Sequence, residues 1–301
     1  MSVNNKISLS ILIACYNWDV YTLIKDLHNL CLENSKLLNF EIICIDDASK
    51  NCFSNKKISK LLNVKYERLI KNIGRSKIRN LMAKKAKHDW LLFIDADSKI
   101  HNNRFISNYI KAIQYDIPQK KLYYGSTLYY EEKPKMKKIL HWKYGQLIES
   151  KRKKNNFSSH HFLIEKKLFS KKYNIQFDDS ISTYGYEDLF FAINHNLKTI
   201  YIDNPLYHIG LKDTDDFIND TEHAIINLIK HSKCQEIAKK SKIIKMAILL
   251  ETFYLDKIIA RLFNNLKVLI LKNLHSKNPS ITCLQFYKLG YFLEKSRNRI
   301  N

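Results

Sequence analysis

The chain has 301 residues, 45% of them hydrophobic and 12% aromatic, with only six glycines and four prolines, which excludes a disordered tail or linker and fits one large domain or one and a half. Its 51 Lys and Arg against 29 Asp and Glu leave a formal charge of +22. Such a charge favours phosphate-rich ligands, anionic lipid headgroups or nucleic acid as partners, and it follows equally from a composition heavy in Lys, Asn and Ile.

Over the first hundred residues, short β-rich runs alternate with helical patterns, the signature of βαβ units and a mostly parallel sheet. Strands are predicted at Ile7–Ala14, Phe40–Asp46, Val64–Leu69 and Trp90–Asp95, and helices near Val20–Glu33, Asn55–Leu62 and Arg75–Lys87. Residues 101–212 mix helices with extended runs at Lys121–Tyr129, Phe157–Ile164 and Thr199–Asp203, and carry the basic stretch Lys151–Lys154. From residue 213 to the end the pattern is helical, with Ile243, Ile244, Ala247 and Ile248, then Leu266, Leu269 and Ile270, at three-to-four spacing. Those helices either pack on the sheet or form an interfacial surface for an anionic membrane.

The six cysteines (Cys15, Cys31, Cys44, Cys52, Cys234 and Cys283) show neither a CxxC pair nor zinc-ligand spacing, which predicts a reducing compartment. The apolar run Ile7–Ala14 leads into no small-residue cleavage site. Ile243–Leu250 is broken by Lys245 and is far shorter than the ~20 residues of a spanning helix. A cytoplasmic protein is expected.

In an open α/β sheet, ligands bind beyond the carboxyl ends of the strands. Polar residues cluster at three of the four predicted ends: Tyr16 and Asn17, Asp46 and Asp47, and Asp95 and Asp97. Alternation along a strand would put Asp95 and Asp97 on one face, as two hard oxygen ligands suited to Mg²⁺ or Mn²⁺ bridging a diphosphate. Of the adjacent Asp46 and Asp47, alternation lets one reach a ligand, where it would accept hydrogen bonds from a base or ribose; a solvated turn is the other reading. Arg75, Lys77 and Arg79 sit on the first turns of a helix opened by Gly74, a place where phosphate oxygens meet N–H groups and guanidinium, and Arg79 is the expected contact.

Taken in order, Ser10-Ile11-Leu12-Ile13-Ala14-Cys15-Tyr16-Asn17, Ile45-Asp46-Asp47-Ala48-Ser49, Asn72-Ile73-Gly74 with Arg79-Asn80, and Phe93-Ile94-Asp95-Ala96-Asp97 resemble the family 2 glycosyltransferases of GT-A fold. The resemblance spans about residues 7 to 210. It implies an α/β fold with a GT-A, Rossmann-like central sheet over 1–212, divided near residue 100 into a nucleotide-binding and an acceptor-binding half; the basic amphipathic helices over 213–301 lie outside it. It also implies that Tyr16 and Asp47 contact a nucleobase, with Asp46 the less favoured partner, that Asp95 approaches the ribose, and that Asp97 binds the metal. Tyr184-Gly185-Tyr186-Glu187-Asp188 is similar to the family's later acidic pair, which makes Asp188 the general base and Glu187 an acceptor-positioning residue; an acidic helix start is the bland alternative. His208 stands where related enzymes supply a further metal ligand.

The chemistry asks for the same groups, since inverting displacement of a nucleoside diphosphate needs one carboxylate at the acceptor hydroxyl and one cation on the departing diphosphate. The sequence departs from the family pattern at Ala14, where proline is common, and at Ala48, where glycine is common, and Leu-Phe-Phe follows Asp188 in place of a further acidic residue. It has no Gln-x-x-Arg-Trp, so one sugar per encounter is expected. The expected activity is transfer from a UDP-sugar, with Mn²⁺ or Mg²⁺, to a glycan or lipid-linked saccharide in bacterial lipopolysaccharide, capsule or exopolysaccharide synthesis. Peripheral contact with anionic membrane is compatible with this, and no nucleic-acid motif is present. The competing readings are a catalytically inactive basic protein that binds nucleotide, membrane or nucleic acid, and a sugar nucleotidyltransferase.

Overall fold

Ile7–Cys15 is almost wholly apolar because it is buried on both faces: this strand, β1, lies between β2 (Leu38–Asp46) and β4 (Trp90–Ile94), parallel to each. The computed structural model describes residues 6–51, 54–115, 120–152, 157–181, 183–232 and 234–297. It divides into two units, Met1–Tyr129 with Ser150–Ser182 and Asn194–Gly210, and Tyr130–Glu149 with Thr183–Ile193 and Leu211–Asn301.

The first unit holds a seven-stranded sheet in the order β3-β2-β1-β4-β8-β6-β9, where β3 is Val64–Arg68, β6 Lys121–Tyr124, β8 His161–Glu165 and β9 Lys198–Tyr201. Only β8 runs against its neighbours β4 and β6, so the sheet is mostly parallel, as the βαβ alternation predicts. Helix α1 (Tyr21–Glu33) buries Leu23, Ile24, Leu27 and Leu30 at helical spacing, and α3 (Phe105–Gln114) buries Phe105, Ile106, Tyr109 and Ile110. These side chains join Leu9, Ile11, Ile42 and Leu92 in one core. Each such Leu, Ile or Phe contributes roughly 1.5–3 kcal/mol by leaving water.

Where the observed elements differ from the predicted ones, the backbone gives the reason. The segment predicted as a helix over Asn55–Leu62 is helical only over Ser54–Lys60 and in the tighter 3-10 form. The run Lys121–Tyr129 breaks into β6 and β7 (Thr127–Leu128), which belong to different sheets. The strand placed over Phe157–Ile164 begins only at His161, and the one placed over Thr199–Asp203 occupies Lys198–Tyr201. Cys52, Lys153 and Lys154 lie outside the described residues.

A buried carboxylate ties the centre of this sheet together. Glu41 on β2 accepts hydrogen bonds from Ser10 Oγ (2.8 Å) and the Lys87 backbone N–H (2.7 Å), and Lys65 Nζ lies 3.2 Å from its other oxygen. Burial alone would raise the Glu41 pKa, but these three donors hold it below the usual range. A group whose folded pKa is depressed adds stability that is fully present above its unfolded value, near 4.3, and is lost as pH falls through the folded value. Glu41→Gln is therefore expected to cost about 1–2 kcal/mol at neutral pH and to remove that share of the acid dependence, read from urea melts at neutral and acid pH. An acid limb unchanged by the substitution would rule this out.

The second unit is helical. It comprises α4 (Ile139–Tyr144), α5 (Glu187–Asn194, which ends one residue into the first unit), α6 (Thr214–Lys230), α7 (Gln235–Lys240), α8 (Lys242–Thr252), α9 (Asp256–Leu274) and α10 (Ile281–Arg297). The C-terminal helices from Leu211 onward cluster with α4 and the start of α5. Side chains hold α4 there: the His141 ring stacks on Phe217 at 4.6 Å, and Thr214 Oγ1 donates to Lys137 O. Helices α9 and α10 meet at Gly290, where an added Cβ would lie 2.2 Å from the Phe263 ring. Among the described residues, no helix is long and apolar enough to cross a membrane.

Candidate active site

The strand ends of the first unit gather the polar residues that the sequence singles out, and each has an identifiable hold. Asn17, in the left-handed region at φ 50°, joins two loops: its Oδ1 accepts from Lys50 N (2.7 Å), and its backbone N–H donates to Ser49 Oγ (2.8 Å). Tyr16 beside it is 46% exposed. Asp46 is buried and accepts from Ser49 N (2.7 Å) and Tyr66 Oη (2.9 Å). Asp47 is also buried, and its two oxygens accept from the N–H groups of Ile73 (2.8 Å) and Gly74 (3.0 Å), at the entrance to α2 (Arg75–Lys85). Both carboxylates therefore fix loops, each oxygen keeping one lone pair for a further donor. Ala48, directly after them, has φ 62°, so the turn keeps the left-handed conformation that glycine adopts more easily.

Asp95 and Asp97 do not share a face. Strand β4 ends at Ile94, and Asp95-Ala96-Asp97 is a turn leading to β5 (Ser98–Ile100), so the alternation that would align the two carboxylates does not reach them. Asp95 faces the arginines: Arg79 Nη2 is 3.0 Å and Arg75 Nη2 3.1 Å from its oxygens. Burial would raise its pKa, but the two guanidinium groups hold it below the ordinary carboxylate range. Arg79 is itself buried, with its guanidinium 5.2 Å from the centre of the Phe177 ring. The guanidinium assigned to phosphate from the sequence is thus ion-paired to the carboxylate assigned to ribose.

Asp97 turns instead toward two histidines. Strand β10 (Leu206–His208) pairs antiparallel with β5 so that His208 lies opposite Ser98, and the ladder continues as Ile209 N–H donates to Asp97 O at 2.9 Å. His208 Nδ1 is then 3.6 Å from Asp97 Oδ1. The carboxylate approaches the chain so closely that a Cβ on Gly210 would meet Asp97 Oδ2 at 2.1 Å and displace the Asp97 side chain. The third member is His160, which the sequence reading missed; it precedes β8, and its carbonyl accepts from Asp95 N–H at 2.9 Å. One ligand atom each from Asp97, His160 and His208 lies within 4.8 Å of the others. Asp95 is not part of this cluster.

These donors fit a divalent cation. Burial, the largest influence, and the neighbouring His161 and His208 push the His160 pKa well below its usual value, so its ring is neutral at pH 7, the state that ligates metal. Its nitrogens lie 3.0 Å from Ser98 Oγ and 3.0 Å from Thr127 Oγ1. One hydroxyl would yield to an ion while the other kept the ring in place. One carboxylate and two imidazoles suit Mn²⁺ better than Mg²⁺, which prefers oxygen. Beside the cluster is a cavity of about 600 Å³ whose lining includes Asn17, Trp18, Asp19, Asp26 and Ser98. The signal for His160 was its pairing with His161 at the mouth of a strand, since adjacent strand residues face opposite ways.

In the second unit, Glu187 and Asp188 form the first turn of α5. Glu187 is buried, and its Oε2 accepts from Gly185 N at 2.9 Å, steadying a turn in which Gly185 (φ 108°) and Tyr186 (φ 64°) are both left-handed. A Cβ on Gly185 would lie 2.2 Å from Ala224 Cβ, and Asn227 Nδ2 donates to the carbonyls of Thr183, Tyr184 and Gly185. Asp188 Oδ1 lies 2.8 Å from the Leu189 N–H. The acidic pair therefore combines a carboxylate that holds the loop with a less buried one at the helix start.

The fold is that of the GT-A glycosyltransferases. The mannosyltransferase PcManGT from Pyrobaculum calidifontis, solved with GDP-Man and Mn²⁺, superposes with a TM-score of 0.55 at 11% identity, over 98% of this chain and 87% of its own. The chain belongs to glycosyl transferase family 2, whose sequence profile matches residues 10–173, over half its length, and it is a glycosyltransferase. S. aureus TarS 1–349 with UDP-GlcNAc is also similar, at 16% identity over 98% of this chain and 93% of its own, with a TM-score of 0.48. GalNAc-T7 with UDP, GalNAc and Mn²⁺ gives 17% identity over 70% and 44%, with a TM-score of 0.49. No curated protein matches the chain by sequence.

Proposed function

We propose that this glycosyltransferase is metal-dependent and inverting, and that it moves one sugar from a UDP-sugar to a hydroxyl of a growing lipid-linked glycan in bacterial lipopolysaccharide, capsule or exopolysaccharide synthesis. In this reading it works at the inner face of the cytoplasmic membrane. The observation that carries the reading is the meeting of Asp97, His160 and His208 at the edge of a nucleotide-binding type of sheet. The solved PcManGT complex with a nucleotide-sugar and Mn²⁺ is consistent with it.

Asp97, His160 and His208 would hold Mn²⁺, which when bound neutralises charge on the departing diphosphate. Arg75, with 44% of its side chain exposed, would exchange Asp95 for a phosphate oxygen when donor binds, while Arg79 stays with Asp95 and keeps that carboxylate ionised near the ribose. Tyr16 offers an exposed ring face to the base, with Asp47, and less favourably Asp46, accepting from its polar edge through the remaining lone pairs. Asn17 holds the loops that carry these residues. On its motif, Asp188 takes the proton from the acceptor hydroxyl, and Glu187 orients the loop that bears it.

Incubation with a panel of UDP- and GDP-sugars is expected to release nucleoside diphosphate only in the presence of Mn²⁺ or Mg²⁺. Release of pyrophosphate would identify a nucleotidyltransferase instead, and absence of both turnover and nucleotide-sugar binding would exclude the proposal.

A further inference from the structure

Helix α9 is apolar on two opposite sides. Ala260, Phe263, Ile270 and Leu274 are buried on the side that includes the Phe263–Gly290 contact with α10. Ile258, Leu262 and Leu269, spaced by four and seven residues, form a second stripe on the other side, and Ile258 and Leu269 are each 60% exposed. A single exposed leucine is ordinary on a protein surface; an ordered stripe opposite an already buried face is not.

The turn between α8 and α9 adds to the stripe. Phe253, Tyr254 and Leu255 stand there 64%, 86% and 42% exposed. Tyr254 N–H donates to Glu251 O (3.0 Å) and Leu255 N–H to Leu250 O (2.8 Å), the paired bonds of a Schellman ending, with Tyr254 left-handed at φ 58° where glycine is usual. A large aromatic residue in that conformation is uncommon and has no packing role here that would explain it.

We propose that the α8–α9 turn and the outer face of α9 are the surface by which the protein docks on an anionic bilayer, with Phe253, Tyr254 and Leu255 entering the headgroup–acyl boundary and the outer stripe of α9 following them. It rests on the function proposed above for what is brought to the membrane, namely a transferase facing a lipid-linked acceptor. Charge selects the occupant. From Lys242 to Lys272 there are six basic residues (Lys242, Lys245, Lys257, Arg261, Lys267 and Lys272) and two acidic ones (Glu251 and Asp256), a net +4. That balance attracts anionic headgroups and would repel a second copy presenting the same face.

The test is flotation of the full chain with vesicles of phosphatidylglycerol and phosphatidylcholine in equal parts, and with phosphatidylcholine alone, at about 0.1 M salt. Selective binding to the anionic vesicles is expected. A Phe253→Ser, Tyr254→Gly, Ile258→Ser variant should bind them at least about tenfold more weakly while keeping its melting temperature, since Gly suits the left-handed position. Leu269→Ser, which leaves the turn intact, provides a second, smaller loss. Wild-type protein that ignores anionic vesicles, variants that float equally well, or a wild-type dimer that the triple variant dissociates would each overturn the proposal. Nucleoside diphosphate release, measured without lipid on the same preparations, separates the two readings: release without vesicle binding sinks the docking surface alone, and vesicle binding without release sinks the assigned reaction alone.

Discussion

Asp97→Ala is expected to lower sugar transfer by about a thousandfold and to abolish the Mn²⁺ dependence of donor binding. Asp97 is the only carboxylate of the cluster, so its loss leaves two imidazoles, neither able to offset the charge of a divalent ion. The fold should tolerate the change. The Asp97 side chain is 26% exposed, the backbone bond from Ile209 to Asp97 O does not involve its carboxylate, and the glycine beside it gains room. Thermal melts with UDP and with or without Mn²⁺ separate loss of metal from loss of fold, because a ligand raises the melting temperature only when it binds the folded state. Transfer within tenfold of wild type, still stimulated by Mn²⁺, would remove Asp97 from the metal site.

Asp188→Asn should lower transfer by about a thousandfold while leaving donor affinity unchanged. Asparagine matches aspartate in shape, and its Oδ1 can keep the position beside the Leu189 N–H at 2.8 Å, so α5 should start in the same way. In the proposed reaction, what disappears is the carboxylate that would accept a proton from the acceptor hydroxyl. A variant that binds UDP as wild type does and still transfers at a tenth of the normal rate or faster would place the base elsewhere. Glu187 is a poor substitute for this experiment, because its carboxylate also secures Gly185 N–H in a turn with two left-handed residues, and changing it would mix chemistry with loop disorder.

The central strands were legible in the sequence because a strand covered on both sides is mostly apolar, and Ile7–Cys15, Leu38–Asp46 and Trp90–Ile94 are dominated by Ile, Leu and Phe. The helices between them announced one buried face each. Pairing was less legible. Nothing local to Phe157–Glu165 says that this segment enters the sheet antiparallel, and that choice is what carries His160 to Asp97. The acidic motifs showed which residues gather, but not which of their oxygens are already engaged: Asp47 is held by Ile73 and Gly74, Asp46 by Ser49 and Tyr66, and Asp95 by two arginines. Periodicity also could not distinguish the two sides of α9, since both are apolar and only the packing of α10 decides which one is covered.

The two neighbouring histidines at the entrance to β8 are treated oppositely. The ring of His160 turns to Asp97, whereas His161 is fully buried against Tyr109 Oη (2.7 Å), and burial lowers its pKa to about 4. If β8 slid by a single step along β4, the two imidazoles would trade sides, and the interior phenol would lose its nitrogen partner at the same moment as the carboxylate lost its own. The strand has one alignment that satisfies both rings, so a core histidine remote from the cluster acts as the proofreader of where the proposed metal ligand comes to rest.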